Sequence, residues 1–269
     1  MGKLFELKNI HYSYLGKFPA LCGIDMNIEK GSKIGILGAN GSGKSTLLQL
    51  LDGLIFSHQG NIKFLDKDLS ERALGEEEFM RFFRSKVGFV FQNPEVQLFC
   101  PTVEEDIIFG PLQLGIDKAE IKKRLANLVD LLNISNLLER PPFRLSIGEK
   151  RKVAIASTLI MSPDVLILDE PTAGLDPLTS RQIVDIIIQA NLEGKTIITA
   201  THDLHIVDEI ADEIFVFSNE KRIARSGASG EILSDGEFLK KHNLVHIHYH
   251  KHKDKIHTHP HEHLEHHVE

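Results

Sequence analysis

A chain of 269 residues with 42% hydrophobic content is sized for one large domain with at most a small appendix. Its formal net charge of −7 argues against a general nucleic-acid binder, which would carry a basic surface. The two cysteines, Cys22 and Cys100, lie far apart and in no metal-binding spacing, so they read as reduced thiols, and no run of about 18 apolar residues offers a membrane span.

In chain order, the opening MGKLFELKNI reads as a short alternating strand without the long apolar core of a signal peptide. Lys33 to Leu37 is the first of five apolar runs rich in Val, Ile and Phe; the others are Val87 to Phe91, Val165 to Asp169, Thr196 to Ala200 and Ile214 to Phe217. They are nearly unbroken rather than alternating, as strands covered on both faces must be. Helical periodicity separates them at Lys44 to Asp52, Lys118 to Leu132, Glu149 to Met161 and Leu178 to Asn191, and such alternation predicts a parallel sheet in an α/β fold. From about Pro94 to Ile160 the pattern is helical with no convincing strand, which reads as an insertion in the core. After Asn219 the pattern turns short and polar, with a helical segment at Gly236 to His242. The last 24 residues contain ten histidines.

The segment GANGSGKST, Gly38 to Thr46, fits G-x-x-x-x-G-K-[ST] in full and sits between a strand and a helix, as that motif requires. Gly38, Gly41 and Gly43 let the backbone curl so that N–H groups, with those of Asn40 and Ser42, face phosphate oxygens. The helix beginning near Lys44 adds its positive end, and Thr46 lies in its first turn. Lys44 brings a full charge to the β- and γ-phosphates, and Ser45 offers a hydroxyl to Mg²⁺, a hard cation that prefers oxygen. VLILDE, Val165 to Glu170, is the matching acidic strand: Asp169 emerges at its C-terminal end as an Mg²⁺ ligand, and Glu170 is placed to orient or deprotonate an attacking water.

A phosphate loop alone leaves GTPases, kinases, helicases and transport ATPases open, although no Asn-Lys-x-Asp guanine reader is present. Later stretches narrow the choice. LSIGEKRKVAIA, Leu145 to Ala156, resembles the signature sequence of ABC-type ATPases; FQNPEVQLF, Phe91 to Phe99, their glutamine loop with Gln92; AGLD, Ala173 to Asp176, their D-loop; and THD, Thr201 to Asp203, their switch histidine, His202. Tyr14 matches the aromatic that stacks on adenine. The resemblance spans roughly residues 3 to 220 and implies a P-loop NTPase (RecA-like) α/β fold: a parallel-sheet core, a helical signature subdomain, a small antiparallel β part and a short C-terminal extension. On that reading residues 1–220 form the nucleotide-binding domain with its helical insertion at about 94–160, residues 221–244 a small extension, and residues 245–269 a histidine-rich flexible tail. It also implies ATP and Mg²⁺ as ligands, with Gln92, Ser45 and Asp169 around the metal, catalysis by Glu170, His202, Gln92 and Lys44, and Ser146 and Gly148 gripping ATP bound to a partner subunit from a helix start. Asp176 reads equally as a catalytic contact or as interface structure. Two departures stand out: Ile147 where the family usually has glycine, and Glu149 where it usually has glutamine. A branched residue does not adopt φ > 0 cheaply, so a left-handed conformation at 147 would weaken the grip.

FQNPEVQLFCPTVEEDIIFGP and GEILSDGEFLKKHNL resemble one branch, the ATPases of energy-coupling factor importers, which include cobalt, nickel and vitamin uptake systems. That resemblance implies a homodimer or a heterodimer with a sister ATPase, peripheral on the cytoplasmic face of the cell membrane, driving a transmembrane coupling protein and a substrate-binding membrane subunit. Leu98 and Phe99 are candidate contacts for that coupling protein or plain core residues. The histidines alternate at 246, 248, 250 and 252 and again at 257, 259, 261 and 263, and imidazole binds Co²⁺, Ni²⁺ and Zn²⁺. The expectation is therefore an ATP-hydrolysing subunit of a cobalt or nickel importer. The alternatives are the same machine carrying a vitamin, and a soluble non-transport ABC ATPase acting on nucleic acid; only about fifty residues separate Gln92 from Leu145 and the motif set occurs once, against the long insertion or tandem sets of the latter.

Overall fold

The computed structural model describes residues 2–245, together with the backbone of 247–252 and 255–260. Two long strands, β1 (Lys3–Tyr14) and β2 (Phe18–Glu29), pair antiparallel across a turn in which Leu15 and Gly16 take positive φ. Then come β3 (Lys33–Gly38), α1 (Lys44–Leu51), β4 (Gln59–Phe64), β5 (Lys67–Asp68), α2 (Glu71–Leu74), α3 (Glu77–Lys86) and β6 (Val87–Val90). Between β6 and β7 (Val165–Asp169) the chain is helical: a short 3₁₀ turn, α4 (Val103–Gln113), α5 (Lys118–Leu132), two further 3₁₀ turns and α6 (Ile147–Leu159), with no strand among residues 94–160. The fold continues with α7 (Pro177–Leu192), β8 (Thr196–Ala200), α8 (Leu204–Ile210), β9 (Glu213–Phe217), β10 (Ile223–Ala228), α9 (Ser229–Leu233) and α10 (Gly236–Lys241). Strands β11 (Ile247–His252) and β12 (Lys255–Pro260) pair antiparallel with each other.

One sheet has the order β2-β1-β4-β5 and is antiparallel; the other runs β10-β9-β3-β8-β7-β6. In the second sheet β9, β3, β8, β7 and β6 are parallel, and β10 closes one edge antiparallel to β9. The five apolar runs are these five parallel strands. β7 and β8 are buried at every position, which is why they show no alternation in sequence. One core cluster lies between the two sheets around α1, with Phe5, Phe64 and Phe83 fully buried. A second joins α4, α5, α6 and α7 to β6, β7 and β8.

The register decides where chemistry can occur. Ile36 of β3 and Asp169 of β7 both pair with Ala200 of β8. The loops leaving β3, β7 and β8 therefore start at one level, at the carboxyl edge of a parallel sheet, where ligands bind in open α/β folds. No helix among the described residues is long and apolar enough to cross a membrane.

Candidate active site

The loop from β3 into α1 is shaped by close approach. Gly43 is the N-cap of α1 with φ 110°, and a Cβ there would lie 2.4 Å from the Ala20 carbonyl oxygen, so only glycine fits. No side chain caps the helix, leaving its first-turn N–H groups for an anion. The Lys44 ammonium is buried and donates to the carbonyls of Gly38 at 2.8 Å and Ala39 at 3.4 Å; it lies 3.9 Å from Glu170 Oε1. Burial lowers its pKa, while Glu170 and Asp169 oppose that shift. Ser42 Oγ is buried without a hydrogen-bond partner among the described residues, and Asn40 and Gly41 are exposed at the tip of the loop. Tyr14, at the end of β1, places its hydroxyl 3.1 Å from Thr46 Oγ1 and leaves its ring partly exposed beside the loop.

Asp169 ends β7 and is buried, with Oδ1 lacking a partner among the described residues. Burial raises its pKa; the Ser45 hydroxyl and the Lys44 and Arg151 cations pull it down, and Glu170 adds to the rise. An unpartnered carboxylate oxygen next to the Ser45 hydroxyl is an all-oxygen donor set, which fits Mg²⁺. Glu170 takes a left-handed conformation, φ 47°, held by its N–H bond to the Ala200 carbonyl at 2.8 Å. Its carboxylate is only 5% exposed as a residue yet fully engaged: Oε2 accepts from Thr201 Oγ1 at 3.1 Å, and Oε1 lies 2.9 Å from His202 Nδ1. Thr201 Oγ1 also accepts from the Asp203 N–H at 3.1 Å, so the residue that follows β8 holds Glu170 through a hydroxyl that is itself fixed. With Nδ1 on Glu170, Nε2 is the ring atom of the exposed His202 that can meet a phosphate oxygen.

The structure thus brings Lys44, Ser45, Asp169, Glu170 and His202 together, with Tyr14 at one side. It does not bring Ser146 and Gly148 there: no hydrogen bond or ion pair joins residues 145–149 to the phosphate loop among the described residues. Ser146 is the N-cap of α6, and Glu149 completes a capping box, with Ser146 N–H donating to Glu149 Oε2 at 2.7 Å and Glu149 N–H to Ser146 Oγ at 3.3 Å. Glu149 thereby serves the helix start, and the Ser146 backbone bond holds its carboxyl below the usual range. Ile147 is the first residue of α6 and is not among the positive-φ residues, so no left-handed conformation is demanded there. Gly148 rests on Thr179 of α7, where an added Cβ would stand 3.2 Å from the threonine methyl. Asp176 is the N-cap of α7, and both its carboxylate oxygens are taken by Thr179, at 2.9 Å and 2.6 Å, so its side chain fixes the start of that helix. Gln92 is exposed just beyond β6, and its carbonyl accepts from Arg151. Leu98 is buried and Phe99 exposed, edge-on to Phe109.

Sequence reasoning missed Thr201 as the second partner of Glu170 and Arg151 as a partner of the glutamine loop. A cleft of about 640 Å³ beside the site is lined by Glu170, Gly174, Arg181 and His202 and, from the C-terminal part, Leu244 and Val245. The side chains of the histidine-rich segment beyond it lie outside the described residues, and so does the metal binding expected of them.

Residues 21–173 match the family model described as ABC transporter. The chain is 45% identical over 248 residues to the nickel import ATP-binding protein NikO of Rhodobacter capsulatus, covering 91% of this chain and 97% of the relative. It is 40% identical over 241 residues to an energy-coupling factor transporter ATP-binding protein of Methanothermobacter thermautotrophicus, covering 90% and 76%. Among solved structures it superposes on cbiO1 of Clostridium perfringens, part of the ABC transporter complex cbiONQ, with TM-score 0.76 and 38% identity over 91% of this chain and 96% of that one.

Proposed function

The chain belongs to the ATP-binding family of ABC transporters, and from that premise we propose that it is the ATP-hydrolysing subunit powering an importer of nickel or cobalt ions. The observation that carries the catalytic part is the carboxylate of Glu170, fixed by Thr201 and His202 beside the phosphate-loop lysine. The nickel-importing relative and the ten C-terminal histidines support the cargo. In this reading Lys44 and the open N–H groups of α1 hold the β- and γ-phosphates, and Tyr14 stacks on the adenine. Ser45, Asp169 and Gln92 hold Mg²⁺, which when bound neutralises phosphate charge. Glu170 orients or deprotonates the attacking water, and His202, whose Nδ1–H is held by the Glu170 carboxylate, donates from Nε2 to the γ-phosphate as an imidazolium.

No hydrogen bond or ion pair joins Ser146 and Gly148 to the phosphate loop of their own chain among the described residues, and in this reading they serve a second subunit, identical or a sister ATPase, so that two chains enclose two nucleotides. The pair sits on the cytoplasmic face of the cell membrane, driving a transmembrane coupling protein and a substrate-binding membrane subunit, and the histidine-rich tail binds the transition metal. The likeness to an energy-coupling factor ATP-binding protein supports a second cargo, a vitamin.

Uptake of radiolabelled nickel and cobalt into vesicles holding the complete complex tests the reading. We expect ATP-dependent uptake that Glu170→Gln abolishes while ATP still binds. Uptake of a vitamin without metal would move the cargo to the second reading, and full hydrolysis in Glu170→Gln would remove Glu170 from its role.

A further inference from the structure

We propose that Arg151 is a positioning residue that fastens the glutamine loop to the signature helix, so that Gln92, serving this chain's own nucleotide, and the tip at Ser146, serving the partner's, move as one body. The proposal rests on the two-subunit reading above. The Arg151 side chain is 1% exposed and points its fork at two successive backbone carbonyls: Nη1 donates to that of Phe91 and Nη2 to that of Gln92, both at 2.6 Å. Two parallel bonds from one planar group fix direction as well as distance, which a lysine cannot reproduce. No carboxylate forms an ion pair with it among the described residues, and its Nε is buried without a partner. The charges of Asp169 and Glu170 favour the buried cation from a distance, against the burial that disfavours it. What the planar fork adds beyond its charge is a fixed orientation of the loop that carries Gln92.

Further ties run along the same seam. Gln97 donates through Nε2 to the Ala154 carbonyl at 2.9 Å, Ser157 Oγ at 3.1 Å and Thr158 Oγ1 at 3.1 Å, and its Oε1 accepts from the Phe91 N–H at 3.5 Å. Thr158 Oγ1 reaches the Phe89 carbonyl at 3.3 Å, and Lys150 pairs with Glu95 at the outer end. The loop is therefore attached to α6 at both its ends. Arg151 lies five residues from Ser146, about 7.5 Å along the helix axis. A displacement of the loop on its own nucleotide reaches the gripping tip through one and a half turns of rigid helix.

Amide hydrogen exchange on the nucleotide-free full chain tests the fastening without reference to activity. In Arg151→Lys the amides of residues 91–99 should exchange about tenfold faster, the worth of one charged hydrogen bond, while those of residues 153–159 keep their rates. In a Glu170→Gln background, Arg151→Lys should raise about tenfold the ATP concentration that half-saturates dimer formation, a larger change than in the binding of a fluorescent ATP analogue to dilute single chains. Gln97→Leu, which leaves the buried cation in place, should show both effects more weakly and keeps the test open should the arginine variant fold poorly. Unchanged loop exchange would overturn the proposal, as would equal acceleration across the loop and α6, which marks plain packing. A loosened loop with unaltered dimer formation would also overturn it. Should Glu170→Gln alone form no dimer with ATP, the two-subunit reading falls, and the exchange rates still decide whether the fastening exists.

Discussion

Thr201→Val isolates the part of the site that holds Glu170 without touching nucleotide. The threonine is buried, donates to Glu170 Oε2 at 3.1 Å and accepts from the Asp203 N–H at 3.1 Å. Valine keeps the shape and removes both bonds. A hydrogen bond to a charged group contributes about 1.5–3 kcal/mol, and about 1.4 kcal/mol of barrier is a factor of ten in rate. If the bond is lost where Glu170 meets water, kcat for ATP should fall about ten- to a hundredfold while KM moves less than about threefold. The unpaired Asp203 N–H adds a stability loss of about 1–2 kcal/mol, a few degrees in Tm. Thr201→Ser keeps the hydroxyl and should recover most of kcat. Steady-state hydrolysis and thermal melts on the three proteins suffice. A kcat within twofold of the parent in the valine variant, or equal losses in Val and Ser, would refute the role given to this hydroxyl.

Asp52, buried at the end of α1 and bonded to Arg84 at 3.0 Å, has its carboxyl pushed up to about 7 by burial, with Arg84 opposing. A folded pKa above the unfolded 3.8 means the folded chain holds the extra proton, so this contribution to stability is complete below pH 4 and drains as pH rises to about 7, by up to about 1.4 kcal/mol per pH unit. Denaturant melts from pH 4.5 to 8.5 should show that slope in the parent and its disappearance in Asp52→Asn; an identical slope in both proteins would rule the assignment out. Gly148→Ala should press on the Thr179 methyl 3.2 Å away and slow hydrolysis, and adding Thr179→Ser, which deletes that methyl, should restore the rate if crowding is the cause. Glu149→Gln keeps the capping box but removes a negative charge from a helix start that is to meet phosphate. We expect a loss of about 0.3–1 kcal/mol in stability, read by urea melts, together with ATP-driven dimer formation at two- to threefold lower ATP, and a rise in the ATP requirement would contradict the assigned geometry.

The central strands could be read from sequence because burial on both faces forces an unbroken apolar run, and their C-terminal ends therefore located Lys44, Asp169 and His202. β2 carries no clean alternation in sequence because its ends are exposed, Phe18 at 63%, and its pairing with β1 is interrupted by bulges, which blur a period of two. Glu149 departs from the family pattern, yet S-x-x-E before an apolar run is a helix-start pattern, and Asp176 before Pro177 is another. Arg151 could not be found that way. It stands between Lys150 and Lys152 and reads as part of a solvated basic face, and only the packing of α6 against the loop after β6 puts it inside. Nor does any local pattern join Thr201 to Glu170, since they meet through the pairing of neighbouring strands.

The left-handed backbone at Glu170 sets this enzyme's durability against its turnover. A non-glycine residue in that region costs on the order of 1 kcal/mol or more, and here it also takes a carboxylate out of water. Glycine at 170 would relax the backbone and free the chain of a buried charge. A screen that rewarded heat resistance alone would therefore discard the one side chain on which hydrolysis is proposed to depend, and thermostable variants of this protein are best sought anywhere but in that turn.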